Sequence, residues 1–174
     1  GYTCSDLFLQ ATLLQGAEKG LADILSASAE LDILTLVGLP VRHNAKLYNG
    51  AAVVCRGELL GLVPKTYLPN YGEFYEKRHF VPAMREAECI EFAGQETLIG
   101  TDLLFACKQL PDFVLGVEVC EDLWAPVPPS CRHALAGATV IANLSASDET
   151  VGKADYRRAL VCGQSARLLT ASLY

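Results

Sequence analysis

The stretch GVEVCEDLW, residues Gly116 to Trp124, completes an apolar run that starts at Phe113, reaches Cys120 and is followed at once by two acids. Read as a strand from Phe113 to Val119 that passes into a helical or looped EDLW segment, it puts Cys120 at a strand's C-terminal end. That is where parallel sheets place their chemistry. Free cysteine is more often a small buried hydrophobe than a nucleophile. It becomes a nucleophile when a cation beside it lowers its pKa or a base takes its proton, so a partner has to come from elsewhere in the chain.

Working outward, segment types alternate. Leu7, Ala11, Leu14, Leu21 and Leu25 have helical spacing and predict a helix from Asp6 to about Ala29, with Thr3 or Ser5 as its cap. Ile33 to Val41 reads as a buried strand. Leu47 to Cys55 and Glu58 to Pro64 read as a hairpin around the turn CRGE, and Cys89 to Phe92 and Thr97 to Cys107 as a pair flanking AGQE. Beyond Cys120, PPSCRHALAGA starts with prolines that suit a helix entry, ATVIANLS is strand-like, and Asp155 to about Leu169 is helical. Strands alternating with helices predict an α/β layered domain, with no repeat or linker to divide residues 1–174.

Composition narrows the function classes. The chain has 174 residues, 51% hydrophobic and 20% charged, an ordinary globular mix with a sizeable core. A net charge of −6 and scattered basic residues exclude a nucleic-acid or anionic-membrane surface. The longest apolar run, ILTLVGLPV, is too short to span a bilayer, and GYTCSDLF lacks the basic region of a signal peptide, which predicts a soluble, cytoplasmic protein. The seven cysteines, at 4, 55, 89, 107, 120, 131 and 162, contain no CxxC pair, so neither a disulfide framework nor a metal site is expected. Six of them are expected to pack as small apolar residues.

The second informative stretch is GLVPKTYLPNYGEFYEKRHF, Gly61 to Phe80. Lys65 follows a strand and a proline, so its side chain also starts from a strand end and could reach a site shared with Cys120. Most lysines are solvated, and Glu73, Glu76 and the aromatics around them could equally form an amphipathic surface segment.

Taken together, PKxxLPxxxEFYExRxF and GVxxCEDLW resemble the nitrilase superfamily of carbon–nitrogen hydrolases. With GYTCSDLF, LPNYGEFYEKR and NLSASDETVGKADYRR added, the chain is similar over its whole length to the glutaminase domain of glutamine-dependent NAD+ synthetases. The resemblance implies a nitrilase-like four-layer αββα sandwich, present in part. It implies Cys120 as nucleophile, Lys65 as the cation that stabilises thiolate and tetrahedral intermediate, and Glu73 as the carboxylate that orients the lysine, with Glu76 a solvated alternative. Tyr71, Ser147 and Lys153 match positions that hold free glutamine, and Glu121 is expected at the α-amino group, since a zwitterion needs an anion and a cation at opposite ends. The N–H of Glu121 is the backbone donor expected to complete an oxyanion site with Lys65.

Other implications concern what residues 1–174 do not contain. The family's general base is a Glu in a PELxLTGY-type segment, whereas this sequence starts at its GY, so truncation at both ends and an inactive isolated span are expected. No SGGxDS-type or Walker sequence occurs, so no cofactor is expected here. ATP, Mg and deamido-NAD+ are expected on a synthetase domain that would receive the ammonia, within a homo-oligomer. Two further readings compete with the glutaminase: a stand-alone hydrolase of nitriles, ω-amides or carbamoyl compounds, and a non-catalytic fragment. A Cys–His protease is disfavoured by the contexts of His43, His79 and His133.

Overall fold

Hydrophobic residues on both faces of a strand need two layers of cover, and the chain supplies one of each kind. The computed structural model describes residues 2–84 and 86–174. One sheet holds β1 (Leu34–His43), β2 (Lys46–Cys55), β3 (Glu58–Pro64), β4 (Glu88–Phe92) and β5 (Gln95–Ile99) in the order β1-β2-β3-β5-β4. The other holds β6 (Leu104–Ala106), β7 (Val114–Val119), β8 (Val140–Leu144) and β9 (Ala171–Leu173) in that order. Pairing is antiparallel for β1–β2, β2–β3, β4–β5 and β6–β7, and parallel for β3–β5, β7–β8 and β8–β9.

Strand alternation sorts the side chains into cores. Ala51 and Val53 of β2 and Val63 of β3 face Leu115, Val117 and Val119 of β7 and Ala142 of β8, so the two sheets pack on each other. The alternate residues Ala52, Val54 and Leu62 face outward onto Leu21 and Leu25 of α1 (Ala11–Ala27). On the far side, α2 (Pro129–Leu135) packs on β7 and α3 (Lys153–Leu168) on β9. The layers are α, β, β, α.

Turn chemistry fixes the first sheet. Arg56 (φ 50°) and Gly57 (φ 77°) form a two-residue turn with both φ positive, the geometry that matches strand twist. A Cβ on Gly57 would also lie 3.1 Å from the Leu25 carbonyl oxygen, so glycine is required there twice over. The CRGE hairpin is therefore where the sequence put it. A second such turn, Asn44 (φ 48°) and Ala45 (φ 60°), joins β1 to β2 and escaped the sequence because it has no glycine.

Several expectations are corrected. The first helix is α1, capped at an extended Gln10 that makes no side-chain bond, and Thr3 and Ser5 lie instead in a preceding 3-10 segment, Tyr2–Leu9. Leu14, Leu21 and Leu25 are buried as the stripe predicts, but Leu7 stays outside it. The strand expected over Thr97 to Cys107 is two strands in different sheets, β5 and β6. The chain turns away at Gly100, where a Cβ would meet that of Ala87 at 2.8 Å. The three-residue β9 was not foreseen. Nor do six cysteines pack as core: Cys89 on edge strand β4 and Cys162 on α3 are exposed, and the others are only partly covered.

Gly116 of β7 faces α2 so closely that an added Cβ would lie 2.8 Å from both the Cβ and Nδ1 of His133. Because His133 is buried and its Nε2 is held 2.7 Å from the Thr101 carbonyl oxygen, it cannot simply turn away. Gly116→Ala is expected to destabilise the fold by about 1–3 kcal/mol, read as a lower urea midpoint at unchanged slope. An unchanged midpoint would show that α2 can shift.

Candidate active site

Lys65 continues the alternation of Gly61 and Val63 and so enters the space between the sheets. Its N–H donates to the Asn49 carbonyl (2.8 Å), extending the β2–β3 ladder by one residue. The side chain is 1% exposed, and an ammonium there needs a counter-charge within reach. Glu76 supplies it: Nζ donates to Oε1 at 2.7 Å, and Asn49 Nδ2 approaches Oε2 at 3.4 Å. Glu76 is itself 4% exposed and opens a 3-10 turn, Glu76–Arg78, whose first N–H donates to the Pro69 carbonyl (3.2 Å).

This corrects the expectation for Glu73, which lies exposed on the loop. The two glutamates are three apart in an irregular segment, and only the second is turned inward by the return of the chain over Pro69. Glu76 is thus not the solvated residue that the sequence left it as.

Cys120 stands directly after β7 with φ 50°, a conformation uncommon outside glycine that costs roughly 1–3 kcal/mol and persists only where surroundings impose it. Asn143 on the neighbouring β8 imposes it from both sides: Oδ1 accepts the Cys120 N–H (2.8 Å) and Nδ2 donates to the Cys120 carbonyl (3.3 Å). The same Nδ2 donates to Glu118 Oε1 (3.1 Å), and Glu118 Oε2 accepts the Ser130 N–H from the first turn of α2 (3.0 Å). Since the Cys120 N–H is committed to Asn143, the next one, of Glu121, is the backbone donor available to an oxyanion. It sits in the first turn of the 3-10 segment Cys120–Trp124 and has no intrahelical acceptor.

Asp122 closes the arrangement. Its Oδ2 accepts the Val119 N–H (3.0 Å), while Oδ1 accepts the N–H groups of Thr66 (3.0 Å) and Tyr67 (2.8 Å). Burial pushes its carboxyl up to about 7, opposed chiefly by the backbone N–H groups of Val119 and Tyr67.

Lys65, Glu76 and Cys120 line one cavity of about 520 Å³, together with Asn49, His79 and Ser145, against an apolar wall of Phe8, Leu13 and Leu39. Beside Cys120, the Tyr71 hydroxyl donates to both oxygens of Glu121 (2.9 and 3.0 Å). Burial, then Glu121, pushes that phenol up to about 12, which keeps it a donor throughout the neutral range. Tyr71, Glu121, Ser147 and Lys153 all stand outside the cavity lining. Lys153 is ion-paired with Asp148 and lies 5.5 Å over the ring of Trp124, and Ser147 Oγ makes only a 3.5 Å contact to the Asp148 carbonyl. The sequence reading missed Asp122, Asn143 and Glu118 as parts of the site. The sequence shows an acid two residues to either side of Cys120 and an Asn near the end of the next strand, but not the burial or the backbone partners that bring them into the site.

The two glutamates should separate in a stability measurement. Glu76→Ala leaves the Lys65 ammonium buried without its anion and is expected to cost about 3–5 kcal/mol. Glu73→Ala, at an exposed position, should stay within about 0.5 kcal/mol. Equal losses in urea unfolding would remove the distinction drawn between them.

The geometry agrees with what the chain is similar to. The carbon–nitrogen hydrolase family model matches residues 1–171. Over 174 residues the chain is 50% identical to the glutamine-dependent NAD(+) synthetase of Mycobacterium tuberculosis, covering 100% of this chain and 26% of that protein. It is 36% identical to the enzyme of the same name from Thermotoga maritima, covering 91% of this chain and 24% of that protein. Among solved structures, a glutamine-dependent NAD(+) synthetase from Cytophaga hutchinsonii superimposes with a TM-score of 0.83 at 31% identity, over 99% of this chain and 28% of that one. The chain therefore spans about a quarter of the length of these relatives, and the two-sheet α/β architecture is the nitrilase-like one. On the family match, which runs through both β3 with Lys65 and β7 with Cys120, the chain belongs to the carbon–nitrogen hydrolase family.

Proposed function

We propose that residues 1–174 are the carbon–nitrogen hydrolase part of a protein that hydrolyses the side-chain amide of glutamine and passes the ammonia to a synthetase domain for ATP-dependent conversion of deamido-NAD+ to NAD+. The observation that carries the reading is the meeting, in one cavity, of a backbone-strained cysteine with a buried, carboxylate-paired lysine. The names of the relatives supply the substrate and the product.

Cys120 sulfur attacks the amide carbon, and the developing oxyanion is met by the Lys65 ammonium and the Glu121 N–H. The C–N bond then breaks, nitrogen leaves as ammonia with an added proton, and water cleaves the glutamyl thioester to give glutamate and free thiol. Glu76 holds Lys65 as a cation in a site where an unpaired ammonium would be costly. The thiol proton needs a base, which the resemblance assigns to a PEL-type segment not contained in residues 1–174.

For the amino-acid end of glutamine, Glu121 and Tyr71 take the α-ammonium side and Ser147 and Lys153 the carboxylate side. Lys153 must exchange Asp148 for the substrate carboxylate, and its place over Trp124 keeps part of its cation's environment fixed during that exchange.

The test is made in the complete protein that carries this chain. Cys120→Ala should abolish glutamine-supported NAD+ formation and spare the ammonia-supported reaction, because the thiol serves amide cleavage alone. Lys153→Ala should raise KM for glutamine by one to two orders of magnitude, about 1.4–2.7 kcal/mol of lost charge contact. Loss of both activities in Cys120→Ala, or equal turnover of propionamide and glutamine in the unaltered protein, would point instead to a simpler amide hydrolase.

A further inference from the structure

Lys65 and Cys120 belong to different sheets, so their separation depends on how the two sheets are fastened at this end. Apolar packing among Val53, Val63, Val117 and Val119 holds the sheets together but permits sliding, because dispersion contacts are not directional. Besides the exposed Tyr71–Glu121 and Tyr67–Val127 bonds, one buried side chain makes directional bonds to backbone on both sides. Asp122, 1% exposed, accepts two N–H groups from the residues that follow Lys65 and a third from the residue that precedes Cys120.

Each bond lands one or two residues from a reacting group, and each is made to backbone rather than to a mobile side chain. The Val119 bond is a reach-back from the third residue of the Cys120–Trp124 turn to the N–H that precedes it, which sets where that turn begins. The Thr66 and Tyr67 bonds stop the first sheet's chain where it leaves β3, immediately after Lys65. Asp122 is buried and both of its oxygens are taken by backbone N–H groups, which separates it from the groups that would touch substrate.

We propose that Asp122 is a positioning residue for the Cys120 reaction: its carboxylate ties the chain beyond Lys65 to the turn that carries Cys120 and so sets the distance between cation and thiol across the two sheets. The proposal rests on the functional reading above for its consequence in turnover. Its structural half, the fixed Lys65–Cys120 relation, can be read without glutamine.

The experiment compares Asp122→Asn with the unaltered complete protein in two assays, iodoacetamide alkylation of Cys120 at one fixed pH and steady-state glutamine hydrolysis. Asparagine keeps the shape and can still accept from Thr66 and Tyr67, but it sets an NH2 group against the Val119 N–H. Removing a negative charge near Cys120 would by itself favour the thiolate and speed alkylation, so slower alkylation reports displacement of the lysine and not charge.

The expected result is alkylation at least about 10-fold slower, with kcat reduced on the order of 100-fold and KM within about threefold, the pattern of a displaced but intact site. A folded Asp122→Asn protein with unchanged or faster alkylation and unchanged kcat overturns the proposal. If that variant does not fold, amide hydrogen exchange in the unaltered protein decides. The Thr66, Tyr67 and Val119 N–H groups should be slow and open together, and free exchange at any of the three overturns it. Glutamine hydrolysis that survives in Cys120→Ala would remove the functional reading while leaving the alkylation result for Asp122 intact.

Discussion

An ammonium group carried between two packed sheets is the constraint on which the site and its surrounding loop depend. Taking such a charge out of water costs several kcal/mol after relaxation, and a single well-placed carboxylate has to offset it. Glu76 can do so only if residues 65–84 fold back over the end of the first sheet, a path held together although it contains just one short 3-10 turn. Its return is fixed by the Glu76 N–H on Pro69, the Ala83 N–H on the Lys65 carbonyl, and Leu68 and Phe80 packed with Phe8. Long irregular segments inside a compact domain are usually functional, and this one exists to deliver a counter-ion.

The cysteine side shows the same logic with strain in place of desolvation. A residue held at φ 50° would relax if its peptide groups could find other partners, and Asn143 removes that freedom by bonding both. Asp122 is in an opposed position: three N–H donors are satisfied together only by a carboxylate, whereas burial favours the protonated acid. The outcome is a carboxyl pushed up to about 7. By linkage, a carboxyl raised above its ordinary value favours the fold most below about 3.8 and loses that advantage as pH rises through about 7. Neutral pH therefore weighs against this residue's contribution to stability, while geometry at the site calls for its charged form.

Much of this could be read in advance, and the gaps have physical causes. Period-two and helical spacing located β2, β3, β7, β8 and the body of α1, since those signals arise from burial of whole faces. The β1–β2 turn was missed because Asn-Ala can adopt positive φ without the glycine that advertises it, and the β5–β6 division because an apolar run does not say when the chain changes sheets. Motif and position singled out Cys120 and Lys65, and the fold brings both to one cavity. The choice between Glu73 and Glu76 was not legible, because in an irregular segment no periodicity says which of two acids faces in. Asp122 and Asn143 went unread for a related reason: their partners are backbone N–H groups far away in sequence, and backbone carries no sequence signal.

The topology also accounts for why acids surround the cysteine. β7 and β8 are parallel, so the chain between them must cross over, and here it does so through α2 on the outer face of the sheet. The start of α2 then lies over the outward-facing residues of β7, where its first-turn N–H groups lack helical acceptors. Glu118, an outward position two before Cys120, meets the Ser130 N–H there, and Pro129 at the first turn has no N–H to satisfy. With Oε2 so occupied, Oε1 is left for Asn143, which in turn grips Cys120. A buried glutamate that looks out of place in a strand therefore satisfies the end of a crossover helix with one oxygen and steadies the strained cysteine with the other. The parallel connection between β7 and β8 thus reaches the Cys120 backbone through a single carboxylate.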